Sequence, residues 1–123
     1  MGRAASILAF GCTSFYHWLL EALPRLLMLR EEMLNLGIGG KDDGPITLIV
    51  PTGERHQPYV KEGLKMVAKA VGADVSNGMV NNLAPFSNLT YYNGSYVVGI
   101  QELWYLDWHT SDSGPSVKKV GGR

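Results

Sequence analysis

Apolar positions along this chain switch between short unbroken runs and helical stripes, and their order predicts alternating strands and helices. Ser6 to Phe10 is a short apolar run, suited to a parallel strand buried on both faces. Gly11-Cys12-Thr13-Ser14 ends it, and Thr13 or Ser14 can cap a following helix. Leu19, Leu20, Leu23, Leu26, Leu27 and Leu34 then recur at helical spacing. They predict a helix to Asn35 or Leu36, stopped by Gly37, Gly39 and Gly40. Pro24 removes one backbone bond inside it, so a kink or two abutting helices is expected. Lys41 to Pro45 reads as a surface turn, and Ile46 to Val50 as a strand rich in β-branched residues. Pro58 suits the first turn of a helix through Ala70, with Val60, Leu64, Val67, Ala68 and Val71 on its apolar face and Gly72 closing it.

After Gly72 the periodicity weakens. Asp74 to Phe86 is rich in Asn, Gly and Pro, predicting irregular structure or short extended pieces. Leu89 to Tyr92, Tyr96 to Ile100 and Leu103 to Trp108 are aromatic and β-branched, and read as strands broken at Gly94 and Gly99. The sequence strand–helix–strand–helix–strand implies an α/β fold, a partial doubly wound parallel sheet with right-handed crossovers. One α/β domain over residues 1–108 is therefore expected. From His109 onward the chain is polar and Gly-rich, and a disordered tail over 109–123 is expected.

Composition narrows the function classes. The chain has 123 residues, enough for one domain with a real core. Eleven Lys and Arg balance eleven Asp and Glu, so no basic face invites a nucleic acid or an anionic membrane. A single cysteine, Cys12, excludes an internal disulfide framework and a multi-Cys zinc site, and reads as a small buried hydrophobe. No Asp, Glu, Lys or Arg lies between Arg3 and Glu21, which also suits a membrane anchor or a signal-peptide core. Met1 to Ser6 fits the myristoylation pattern as well. The break at Gly11 to Ser14 favours the buried strand over these.

Candidate chemistry concentrates in Ser14 to Arg30. His17, Glu21 and Arg25 recur at steps of four, which aligns them on one face of an α-helix. A His near a helix N-terminus after a strand stays neutral and can exchange a proton. Glu21 can orient the ring or hold a hydroxyl, and Arg25 can pair with Glu21 or reach a phosphate. The bland alternatives are a structural His17 and a solvated Glu21–Arg25 pair. His17 and Glu21 have no third partner for a metal, and no metal is assigned. Arg55, with His56 and Gln57, follows the second strand, and Asp107 ends the last; both loops leave the edge where parallel sheets bind ligands. Arg55 and Asp107 are therefore candidate substrate contacts. No Gly-x-Gly-x-x-Gly, Walker loop, nucleophile elbow or His-Glu-x-x-His occurs.

Phe15-Tyr16-His17-Trp18-Leu19-Leu20-Glu21-Ala22-Leu23-Pro24-Arg25-Leu26 resembles the Tyr-His-Trp-Leu-Leu-Glu…Leu-Pro-Arg-Leu signature of family 61 glycosyltransferases. These are secretory-pathway enzymes such as plant xylan arabinosyl- and xylosyltransferases and animal protein O-GlcNAc transferases. Pro45 to Pro51 is similar to the family's next strand and Gln57 to Met66 to its next helix. Ser14 stands where the family usually has Asn. The resemblance implies the N-terminal lobe of a two-lobed, GT-B type transferase moving a sugar from a nucleotide sugar to a glycan or protein hydroxyl. It implies His17 and Glu21 as catalytic residues and Tyr16, Trp18 and Arg25 as substrate contacts, with no cofactor besides the donor. It also implies a Golgi or endoplasmic-reticulum lumen and a missing C-terminal, donor-binding lobe, whose absence would expose a sheet edge to association. The sequons Asn88-Leu89-Thr90 and Asn93-Gly94-Ser95 agree with a lumenal glycoprotein. The rival expectations are a non-catalytic carbohydrate- or protein-binding module and an α/β domain whose His-Trp motif is structural.

Overall fold

Five strands form one mixed sheet in the computed structural model, which describes residues 2–7, 18–40, 43–51, 57–73, 75–76, 79–80, 83–92, 99–107 and 116–122. In chain order the elements are β1 (Arg3–Ser6), a single π-helical turn (Trp18–Ala22), α1 (Leu23–Asn35), β2 (Thr47–Pro51) and α2 (Gln57–Ala70). They continue as β3 (Val75–Ser76), β4 (Met79–Val80), β5 (Asn88–Tyr92), β6 (Glu102–Asp107) and β7 (Ser116–Gly121). The sheet order is β5-β2-β1-β6-β7, with β3 and β4 as a separate two-stranded ribbon. Strands β1, β2, β5 and β6 run parallel, while β7 returns antiparallel to β6. The α/β class and the parallel pairing expected from the sequence are present; the antiparallel edge makes the sheet mixed.

β1 is the central strand, and its two middle side chains are small and apolar. Ala4 and Ala5 are fully buried, and both neighbours pair with them. Alternation sends Ala5, Ile7, Leu48, Val50 and Leu106 into one core, with Leu89, Tyr91, Trp104 and Val117 around its margin. Leu23, Leu26, Leu29 and Met33 of α1 and Val60, Leu64 and Val67 of α2 close that core from one side. Of the leucines expected to seek it, Leu27 and Leu34 face solvent instead. Leu29 and Met33 take their place, one helical face away. Lys61 of α2 lies over the Tyr91 ring, 5.6 Å from its centre, and burial there pushes the Tyr91 hydroxyl up from its ordinary pKa.

Both helices stop as their glycines predict. Gly37 sits at φ 73°, the Gly37 N–H donates to the Leu34 carbonyl, and the Ile38 N–H reaches back to Met33. Gly72 at φ 74° repeats the device, with the Ala73 N–H donating to Ala68. Pro24 also acts as expected, dividing the helical segment. α1 begins at Leu23 with Pro24 in its first turn, and the turn before it is π-helical. Widening that turn lets the ladder pass a residue that has no N–H to give.

Three expectations are corrected. The first strand starts at Arg3 rather than Ser6, and Leu8 to Phe10 lie outside the described residues. Gly99 and Ile100 are not in a strand, and Tyr96 to Val98 lie outside the described residues. The expected disordered tail contains β7, six residues paired along the whole of β6. Its polar composition is that of a charged edge strand: Val117 packs against the core, while Lys118 and Lys119 keep the edge solvated. Among the described residues no helix is long and apolar enough to cross a membrane.

Gly63 sets the distance between the helical layer and the Trp18 ring. A Cβ at this position would lie 2.5 Å from Trp18 Nε1 and 3.0 Å from Leu23 Cδ1. Alanine normally adds up to about 1 kcal/mol to a helix. Here overlap with a rigid ring costs about 1–3 kcal/mol and wins. Gly63→Ala is therefore expected to lower stability in urea unfolding, and Trp18→Phe in the same chain to reduce that penalty. Equal penalties in the two backgrounds would show that the ring is not the obstacle.

Candidate functional site

The four parallel strands end together, at Ser6, Pro51, Tyr92 and Asp107. From β1 the chain steps outward through β2 and β5, and β6 then joins the opposite side of β1. In doubly wound sheets ligands bind outside the carboxyl ends of the two strands that flank such a reversal, here β1 and β6. Tyr16, His17 and Arg55 belong to segments that follow β1 and β2, and all three lie outside the described residues, as do His56 and Asn93.

The described candidates divide. Asp107 ends β6 beside this reversal, as expected, and is partly buried. Glu21 is exposed within the π-turn and Arg25 is half-buried in the first full turn of α1. The strict step-of-four alignment of His17, Glu21 and Arg25 needs an unbroken α-helix. A π-turn pairs residues five apart, so Glu21 in that turn and Arg25 in α1 do not belong to one regular α-helix. Trp18, expected to touch substrate, is a core residue with 1% of its surface exposed. Its indole lies against Gly63 and Leu23, and its N–H has no acceptor among the described residues. Trp18 thus packs the π-turn against α2. Asn88 stands apart, exposed at the amino end of β5.

Alternation and register bring together groups that the sequence pattern alone did not connect. Ser6 of β1 is opposite Tyr105 of β6, which is opposite Lys118 of β7; Asp107 shares their face. This polar row crosses the side of the sheet away from α1 and α2. Ser6 is 8% exposed, the one buried polar residue of the described set. The alternation of Leu103, Tyr105 and Asp107 signalled part of the row. Lys118 could not be placed while its segment read as a tail.

The opposite, amino edge of the sheet is electrostatically closed. Arg3 Nε donates to Glu102 Oε2 at 2.6 Å, and Arg3 Nη2 pairs with Asp43 Oδ2 at 2.8 Å. Arg3 Nη1 also donates to the Asp43 carbonyl at 2.5 Å. Trp104 Nε1 donates to Glu102 Oε2 at 2.8 Å, and Lys119 Nζ approaches Oε1 at 3.9 Å while lying over the Trp104 ring. The Gly39 N–H holds Asp43 Oδ2 at 2.8 Å. Hydrogen bonds from Arg3 and then Trp104 hold the Glu102 carboxyl below its ordinary range. The Gly39 N–H, then Arg3, does the same for Asp43. These charges are matched by one another.

Among the described residues no group of three His, Cys, Asp or Glu side chains converges as metal ligands would. Comparison with protein-family models, curated proteins and solved structures finds no match to this chain.

Because Glu102 and Asp43 have lowered pKa values, their contribution to stability is present in full above their ordinary values of 4.5 and 3.8. It is lost as pH falls through the lower folded values. Glu102→Gln is expected to cost about 1 kcal/mol at neutral pH and to flatten the loss of stability in acid. Urea unfolding at several pH values from neutral to acid tests this; an acid limb as steep as in the native chain would place the titration elsewhere.

Proposed function

We propose that this chain is the acceptor-side α/β part of a glycosyltransferase similar to family 61, moving a sugar from a nucleotide sugar to a glycan or protein hydroxyl in the secretory-pathway lumen. One observation carries the proposal: the block from Tyr16 to Arg25 follows the central strand, on the connection that leaves its carboxyl end beside the β1/β6 reversal. Two features support it. The strand order β5-β2-β1-β6 follows the 3-2-1-4 pattern by which doubly wound sheets present ligands at that edge. A π-turn inside the block is the kind of local irregularity that recurs at functional sites.

The chemistry assigns roles. His17 accepts the proton of the acceptor hydroxyl as its oxygen bonds to the anomeric carbon of the donor. The bond from that carbon to the leaving phosphate breaks, and the diphosphate departs with its electron pair. Arg25 and Arg55 are the cations available to receive its negative charge. Glu21 orients His17 or an acceptor hydroxyl, and Tyr16 and Asp107 contact the acceptor. Trp18 holds the block against α2 without touching substrate. The nucleotide itself is assigned mainly to a second lobe, as in the enzymes the block resembles.

Transfer or hydrolysis of nucleotide sugars, assayed on the protein together with its donor-binding lobe, tests this directly. His17→Ala is expected to lower turnover by about 10²–10⁴-fold, with unchanged circular dichroism and unfolding midpoint. Turnover equal to that of the native chain would remove His17 from the chemistry. Glycan binding without turnover, retained in His17→Ala, would instead identify a binding module.

A further inference from the structure

The two outer strands of the sheet are defended unequally. β7 carries Lys118 and Lys119, both exposed, and charged residues of this kind discourage a second chain from pairing with an edge. β5, the outermost strand on the other side, reads Asn88-Leu89-Thr90-Tyr91-Tyr92 and contains no charge, glycine or proline. Leu89 and Tyr91 turn inward, where they pack against the core. Asn88, Thr90 and Tyr92 therefore occupy the side away from the helices. Among the described residues the row away from the helices is uncharged, Lys61 of α2 lying over Tyr91 on the core side, and such an aromatic, β-branched row is a template for strand addition.

The same strand opens with a sequon. Asn88 is exposed at its first position, and Thr90 is two residues along on the same face. Asn88 is in register with Thr47 of β2, at the amino end of the sheet and away from the carboxyl edge. A large substituent there stands away from the core and from the carboxyl edge. We infer that Asn88 carries an N-linked glycan, and that this glycan is the guard of the β5 edge.

In the modifying step the Asn88 amide nitrogen bonds to the anomeric carbon of an oligosaccharide carried on a lipid diphosphate. The lipid diphosphate leaves with the bonding electrons, and the amide loses one proton. A strand added to β5 would place a residue about 4.5–5.5 Å from Asn88 on the same face, within the volume of the attached sugars. The glycan obstructs that approach as the lysines do on β7. The modification rests on the lumenal reading proposed above; the competence of Asn88 as an acceptor does not.

The test uses the full chain, expressed in eukaryotic cells behind an added cleavable signal peptide, beside the same chain without it. With the leader, a mobility shift removed by peptide-N-glycosidase is expected. The shift should be lost in Asn88→Gln and Thr90→Ala and kept in Asn93→Gln. No shift, or one that survives Asn88→Gln unchanged, overturns the assignment of the site. The same chain without the leader gives the unshifted reference, so the leader-driven product decides Asn88 as an acceptor whether or not the lumenal reading holds. For the guard, sedimentation should find the glycosylated chain monomeric and Asn88→Gln self-associating as concentration rises. Asn88→Lys, equally unglycosylated but charged at the edge, should remain monomeric. Self-association of Asn88→Lys to the same extent, or none in Asn88→Gln, overturns the role of the glycan at the edge.

Discussion

Arg3 is where four separated parts of the chain are made to agree. Its backbone begins the central strand, and its guanidinium spans Glu102 of β6 and Asp43 in the connection between α1 and β2. Through Glu102 it is coupled to Trp104 and to Lys119 of β7. Guanidinium geometry makes this possible, because a planar fork can satisfy two carboxylates and a carbonyl at once. Lysine has the charge but not the directions. The pairs are partly exposed, so their individual strengths are modest. Their effect is specificity of register: a one-residue slip of β6 against β1 would move Glu102 to the other face, away from Arg3.

The two ends of the sheet divide labour on this basis. At the amino end, charges are consumed by one another and by Trp104, Gly39 and the chain itself. At the carboxyl end, polar groups such as Ser6, Tyr105 and Asp107 stand where strand order reverses. A sheet tied at one end by fixed ion pairs can hold variable loops at the other without losing its register.

Much of this architecture was legible in the sequence, for identifiable reasons. α2 was readable to within a residue because Pro58, a spaced apolar face and Gly72 all report the same element. β2 was readable because Ile46 to Val50 admits little else. α1 was found, and Leu23 and Leu26 were read on its buried face, but Leu29 and Met33 rather than Leu27 and Leu34 complete that face, because leucines lie on more than one side of this helix. β7 was missed because its pattern is that of an edge: only Val117 packs inward, and the anchors of the strand, Glu102 and Trp104, lie on its partner. For the candidate site, proximity to the carboxyl edge came from strand order for Asp107. The burial of Trp18 did not, because its partner is a missing side chain, at Gly63, forty-five residues away.

That β1 pairs on one side with β2 and on the other with β6 has a consequence for how the chain assembles. Arg3 and Glu102 are 99 positions apart, so the second edge of the central strand must wait until β6 has been made. β1, β2 and β5 can align earlier, through crossovers completed by residue 92. β6 and β7 form a local antiparallel pair, whose short closure is entropically cheap. The natural final event is thus the seating of a preformed two-stranded piece against a waiting three-stranded one. On a ribosome, where residues emerge in order, β1 precedes β2 and β5 and yet gains its second neighbour only after both have been made.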